Sequence, residues 1–386
     1  MLVTYVAPNR AHHYPYALAL ARAGHLQRFV CGVSRFSPWA PLPELGDKLL
    51  RRDEVQNFYL ASQRLPLPAA VREELTYLSK IWLDWGSTKD ALRSDLFFFY
   101  SGAGLSTLKT LKSTRVVGVL EAVNSHVLVQ QEILREEHER LKLPMHGFHR
   151  REVARRVEEG ERADAIICLS TFARQSFLDL GFAPDRVKVV PFGVAAPAFR
   201  PQVERPPGTF RVLAVGQINI RKGLRYLIEA FKAFRHPKKE LWLVGPKTEQ
   251  TGIEDVTLPE EIQFLGVLKG EALDRAYRSC HVLVLPTIED GFGLVIGEAL
   301  AHGLPVIATV NSGAPDLFPD GSVGYLVPIR SPEAIADKLQ LLADQPELMA
   351  GLSARAVARD KGLPSWEATE RKLIETLQDL VRMPKL

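Results

Sequence analysis

Hydrophobic and polar positions alternate between short apolar runs of four to six residues and longer amphipathic stretches, the rhythm of a β/α protein. The chain opens with an apolar run at 2–6, a helical pattern over 14–23 closed by Gly24, and a second run at 28–33. Such an opening predicts a doubly wound sheet. From 38 to 94 the pattern is irregular and helical. A helix near 105–112 then leads to a strand at 115–120, a long charged helix at 127–140, a strand at 165–169 and a helix at 171–180.

The stretch 193–208 holds Pro197, Pro201, Pro206 and Pro207, which oppose both helix and internal strand. Beyond it the rhythm restarts. Strands are expected at 210–215, 241–244, 262–265, 281–285, 305–309 and 324–327. The expected helices lie at 223–234, 271–279, 294–302, 332–343, 347–361 and 366–381. The pattern divides the chain into a Rossmann-like unit at 1–196, a linker at 197–208, a second such unit at 209–365 and a final helical segment at 366–386. Two α/β sheets face each other across a cleft, with the linker as hinge.

Composition adds bounds to this picture. A length of 386 residues accommodates two domains of about 150 to 200 residues. The 24% of charged residues and 46% of hydrophobic ones fit an ordinary globular protein, and a net charge of +4 argues against a dedicated nucleic-acid binder. Residues 1–200 carry 27 Lys and Arg against 21 Asp and Glu, so an anionic partner is open to the first half. Within it, His149-Arg150-Arg151 and Arg155-Arg156 lie among Glu158, Glu159 and Glu161, a balance that reads as a solvated helix face. Cys31, Cys168 and Cys280 sit in apolar, strand-like contexts and read as buried thiols of a reducing compartment. No apolar run approaches the roughly twenty residues of a membrane span, and the start lacks a basic n-region. A cytoplasmic protein is expected, with surface attachment to a membrane left open. Trp39, Trp82 and Trp85 permit such attachment but read first as buried side chains.

Chemistry concentrates in two places. The first is the stretch Ile288-Glu289-Asp290-Gly291-Phe292-Gly293-Leu294-Val295-Ile296-Gly297-Glu298, between a strand pattern and a helix. A strand, glycine turn and helix start form an anion site, because the first N–H groups of the helix have no partner. The carboxylates beside it suit hydroxyl groups rather than the anion itself. The second is Val215-Gly216-Gln217-Ile218-Asn219-Ile220-Arg221-Lys222-Gly223, at the carboxyl end of the first strand of the second half. Ligand crevices of open α/β sheets lie at that end. Arg grips two oxygens at once and Lys acts as a point charge, so the pair suits a diphosphate, although a solvated basic turn has the same composition.

Together with LWLVGP, IQFLGVL and GSVGYLVP, these motifs resemble, in order and spacing, the donor half of the retaining glycosyltransferases of family four, which have the GT-B fold. The resemblance covers most of 209–330. It is thinner in the first half, where it rests on Glu121-Ala122-Val123-Asn124-Ser125-His126, AIICLSTFA and Val190-Pro191-Phe192-Gly193-Val194. It implies a C-terminal helix that crosses back to the N-terminal domain. It also implies transfer of a sugar from a nucleotide diphosphate donor to an acceptor hydroxyl, a lipid-linked molecule or a growing glycan, with retained configuration. The reaction is front-side, with no protein nucleophile, cofactor or metal.

By the same resemblance Arg221 and Lys222 match the diphosphate clamp, with Gly216 at the turn among the donor-binding residues. Asp290 and Glu298 are the two acids of the Glu-x7-Glu motif, with Glu298 on the ribose. Backbone groups of Gly291, Phe292, Gly293 and Leu294 meet the donor sugar and phosphate, and His126 stands close to that sugar. Arg221, Lys222, Asp290 and His126 are thus the candidate catalytic residues.

Three positions depart from the family pattern: Gln217 in place of Arg, Asp290 in place of Glu, and Asn9-Arg10-Ala11-His12-His13-Tyr14 in place of a Gly-Gly loop. They keep open a second reading, a catalytically silent nucleotide-sugar binder or partner subunit. Within the enzymes, a sugar-nucleotide epimerase or phosphorylase-like protein of the same fold is the rival. The pair His12-His13 and the trio His138, His146 and His149 follow no usual zinc pattern. A dinucleotide oxidoreductase is excluded by the lack of a Gly-x-Gly-x-x-Gly turn at either sheet.

Overall fold

The computed structural model describes residues 1–37, 42–62, 67–145, 148–193, 207–248, 250–358 and 364–383. Trp39, His146 and all but the last two residues of the expected linker lie outside them. The apolar runs form two parallel sheets. In the first, β1 (Val3–Ala7), β2 (Leu26–Cys31), β3 (Leu49–Arg51), β4 (Leu96–Tyr100), β5 (Val117–Ala122), β6 (Ala165–Cys168) and β7 (Val187–Val189) stand in the order β3-β2-β1-β4-β5-β6-β7. In the second, β8 (Phe210–Val215), β9 (Lys239–Val244), β10 (Ile262–Gly266), β11 (Val282–Leu285), β12 (Val306–Thr309) and β13 (Gly324–Val327) stand in the order β10-β9-β8-β11-β12-β13. The doubly wound expectation holds in both halves. The order reverses direction beside β1 and β8, and there the crevice for a ligand opens.

Helices cover the faces. Those of the first half are α1 (His13–Arg22), α2 (Glu54–Ser62), α3 (Ala69–Ala91), α4 (Leu105–Leu111), α5 (Val127–Leu141), α6 (Arg150–Arg162) and α7 (Thr171–Leu178). The second half has α8 (Leu224–Ala233), α9 (Glu271–Ser279), α10 (Leu294–Ala301), α11 (Ala314–Leu317), α12 (Pro332–Asp344) and α13 (Pro346–Ala358). The last helix, α14 (Trp366–Arg382), returns to the first half. Trp366 stacks on Tyr16, the Thr369 hydroxyl donates to the Pro191 carbonyl, Gln378 meets His25, and Leu373 and Leu377 are fully buried. One apolar cluster therefore runs from β1 through Phe192 and Phe292 to α14.

Three strands were not expected: β3, β4 and β7. The aromatic run of β4 shows no alternation because both its faces are buried, and β3 and β7 are three-residue edge strands. The basic stretch 149–162 needs a second correction. Arg155 and Glu159 of α6 are buried, not solvated. Glu159 accepts from the N–H groups of Gly102, Gly104 and Leu105 at the start of α4, and Arg155 donates to the Gly102 carbonyl and pairs with Asp84 of α3. Burial pushes the Glu159 carboxyl up to about 7, against the opposing pull of Arg155. Cys31, Cys168 and Cys280 are free and buried. No described helix is long and apolar enough to cross a membrane.

Candidate active site

The clamp lies on one 3-10 turn, Ile220–Lys222, between β8 and α8. Asn219 starts the turn, its side-chain oxygen accepting from the Lys222 N–H at 3.1 Å, and Gly223 ends it with a φ of 62°. Gly216 leaves β8 hydrogen-bonded to the Val244 carbonyl. Opposite stands the loop from β11 to α10. The two cations meet the two acids in order. Arg221 Nη1 donates to Glu289 Oε2 at 3.1 Å and to the Glu289 carbonyl at 3.2 Å, while Lys222 pairs with Asp290. Burial pushes the Asp290 carboxyl up, but Lys222 and Arg221 beside it hold it below its ordinary value.

Asp290 also accepts from the Phe292 N–H at 3.3 Å, which tightens the turn. Gly293, at φ 84°, then starts α10, its carbonyl accepting from the Ile296 N–H at 2.9 Å, and leaves the N–H groups of Leu294 and Val295 without partners in the helix. One turn into α10, Glu298 is exposed and accepts from the Tyr277 hydroxyl at 2.6 Å. Tyr277 stacks on His302, which in turn bonds Asp274. Glu298 thus has one oxygen anchored and an open face that can accept further hydrogen bonds.

The first half closes over this loop. Glu289 is fully buried, and it accepts from Ser125 N at 3.2 Å, Ser125 Oγ at 2.8 Å and Gln130 Nε2 at 2.8 Å, all across the cleft. Gly291 lies so close to the Val123 carbonyl that a Cβ would meet its oxygen at 1.8 Å. Beside these contacts opens a cavity of about 580 Å³, lined by Asn124, Gln130 and His138 from one half and Asn219, Arg221 and Thr248 from the other.

His126 is not brought to the cleft. Its Nδ1 accepts from the Leu128 N–H as the cap of α5, and its ring lies edge-on to Phe177 in the core with Nε2 buried and unpaired. Burial, and Arg156 after it, lower its pKa to about 4. The physical reason is the cap itself: a side chain folded back on its own helix start cannot reach across the crevice.

His12 and His13 converge on buried Glu121, His12 Nε2 at 2.8 Å and His13 Nδ1 at 3.1 Å, with the Tyr5 hydroxyl 2.8 Å from the same carboxylate. These distances are those of a closed hydrogen-bond set. His138 bonds the Leu134 carbonyl and His149 bonds Glu74.

The structure therefore places Arg221 and Lys222, on the turn after Gly216, against the loop of Asp290, Gly291, Phe292 and Gly293, with Leu294 and Glu298 on the helix that follows, and leaves His126 apart. Ser125, Gln130, Asn219 and Tyr277 were not singled out from the sequence. A signal existed for Glu289: a doublet of acids on one loop facing a doublet of cations on another.

Two facing doubly wound sheets, a phosphate-type turn with a cation pair, and a helix returning to the first half define the GT-B class of folds. Residues 196–359 match the family described as glycosyl transferases group 1. It is 29% identical over 255 residues to D-inositol 3-phosphate glycosyltransferase of Corynebacterium glutamicum (strain R), covering 59% of this chain and 61% of that one. With the enzyme of the same name from Frankia alni it shares 32% over 237 residues, 55% and 58% of the two chains. The chain thus spans about three-fifths of the length of these curated relatives. Among solved structures, sucrose-phosphate synthase from Thermosynechococcus elongatus superposes with a TM-score of 0.75 at 19% identity over 99% of both chains. Anabaena HepE in complex with UDP superposes with a TM-score of 0.67 at 16% identity, over 98% of this chain and all of that one.

Proposed function

We propose that the protein transfers a sugar from a nucleotide diphosphate sugar to an acceptor hydroxyl with retention of configuration. The observation that carries this reading is the pairing of Arg221 and Lys222 with Glu289 and Asp290 on the loop that leads into α10, the helix that bears exposed Glu298. The diphosphate lies at the cations and the helix start, where the negative charge that grows on the leaving group is stabilised. Glu298, held by Tyr277, takes the ribose. No protein nucleophile is needed in a front-side reaction in which the departing phosphate oxygen takes the acceptor proton. The cross-cleft bonds of Glu289 exclude water from the reacting centre.

A second reading, a silent nucleotide-sugar binder, draws support from one observation: His126 is folded into the core. A thermal-shift screen of nucleotide diphosphates and their sugars, followed by donor turnover, separates the two. The native chain should be stabilised by a nucleotide diphosphate, and Lys222→Ala and Glu298→Ala should each weaken the shift by about tenfold in ligand concentration. Absence of any shift in the native chain would remove the donor site, and a shift without turnover over a broad acceptor panel would favour the silent module.

A further inference from the structure

Helix α3 is built inside out. Its inner face buries Ser79, Asp84 and Ser87 beside Leu83 and Ala91. Asp84 accepts from Ser106 N at 2.7 Å and Thr107 N at 2.9 Å, and the Ser87 hydroxyl donates to the Asp84 carbonyl. The outer face carries the apolar residues. At about 100° per residue, Val71, Leu75, Leu78, Trp82 and Trp85 fall on one stripe about 21 Å long. Val71 is 42% exposed, Leu78 39% and Trp85 68%, which corrects the expectation of a buried Trp85. Phe58 of the adjoining α2 is exposed as well.

The free charges around this ridge have one sign. Lys89 and Arg93 continue it, and neither has an ion-pair partner among the described residues. Arg52 lies across Gly86, where a Cβ would come within 2.6 Å of its Nε. With Trp82, Trp85 and Gly86 it forms a notch of about 120 Å³, and its buried Nε is unpaired. The acids nearby are engaged: Glu74 by Arg151 and His149, Glu54 by Trp82 and Arg35, Asp90 by Arg28.

From this placement we infer that the outer face of α3 docks on an anionic lipid surface, with the apolar stripe at the acyl boundary, the tryptophans among the headgroups, and Arg52, Lys89 and Arg93 on lipid phosphates. Only such a surface matches all three features: a convex apolar ridge, aromatics at its cationic end, and guanidinium and ammonium groups with no internal partner. Glu73, on the side of α3 opposite Val71 at about 100° per residue, lines the interdomain cavity, so docking by the outer face keeps the cleft close to the membrane, on the far side of the helix. Given the proposed sugar transfer, on which this last step rests, the acceptor class is a hydroxyl carried on a membrane lipid.

The test is co-sedimentation of the full chain with phosphatidylcholine vesicles, with and without roughly one-third phosphatidylglycerol. Binding is expected to the anionic vesicles alone and to weaken as salt rises. Leu78→Glu with Trp85→Glu, and separately Lys89→Glu with Arg93→Glu, should each lower partitioning by about tenfold or more without changing the melting temperature. Failure of the native chain to bind anionic vesicles, or undiminished binding by these variants, overturns the inference. So does a native dimer, seen by light scattering, that the ridge variants dissolve, because the ridge would then meet a second copy. Nucleotide-induced thermal shifts, measured without vesicles, report on the donor site alone. Their absence would sink the transfer reading and the acceptor class with it, while the vesicle result still decides the docking.

Discussion

Arg221 and Lys222 each face an acid of their own, so the ligand-free clamp carries no net charge across these four side chains. A diphosphate entering it must draw the cations from Glu289 and Asp290 or add to them from the open side. Lys222, Glu298 and the glycine turn were legible in the sequence because their spacing is local. The partners of Glu289 were not, since Ser125 and Gln130 lie about 160 residues away in the chain and meet it only across the closed cleft. His126 was misplaced for the opposite reason: a local bond, its cap on Leu128, outweighs the position that the motif suggests. This histidine carries a testable pH dependence. In the folded chain it stays neutral down to about pH 4, whereas its ordinary value is 6.5, so the unfolded chain takes up the proton first as pH falls. Its contribution to stability is full above pH 6.5 and is lost as pH drops toward 4. His126→Asn, which keeps a cap acceptor, should show a shallower decline in urea-unfolding free energy across that window, with the part due to His12, also lowered to about 4 by burial, remaining.

At the scale of elements, the sheet of the second half was legible almost strand by strand, because its apolar runs are bounded by glycine, proline and charged turns. The first half hid more. Phe97 and Phe99 face one side of β4 and Phe98 the other, so no period of two exists to be seen. The faces of α3 and α6 were hidden too, since both bury polar groups that a pattern rule assigns to solvent. Asp84, Arg155 and Glu159 form a tie between α3, α4 and α6. Asp84→Ala removes two bonds to the start of α4 and leaves the buried Arg155 to Glu159 and the Gly102 carbonyl, and is expected to cost about 3 kcal/mol in urea unfolding. Adding Arg155→Leu should recover part of that loss, and a strictly additive double variant would show that the two side chains do not act as one unit.

Further polar contacts beside those of Glu289 hold the two halves together. Arg330 bonds Glu137 at 2.6 Å, Glu136 at 3.1 Å and the Ile133 carbonyl at 3.2 Å, and the Tyr226 hydroxyl donates to Glu137 at 2.7 Å. Gly291 against Val123 is the tightest approach. Its φ is outside the left-handed region, so alanine suits the loop itself and clashes only with the opposite half. Gly291→Ala should therefore leave the melting temperature of the second half nearly unchanged and open the cleft, seen as an increased radius of gyration in X-ray scattering; an unchanged radius would mean that the loop gives way instead. The return of α14 has a different consequence, for synthesis on the ribosome. Tyr16, fully buried and stacked on Trp366, is made about 350 residues before the side chain that covers it. The first sheet can form early, but an apolar strip along α1 stays bare until the second half has been completed, and a nascent chain paused before Trp366 should attract chaperones at that strip.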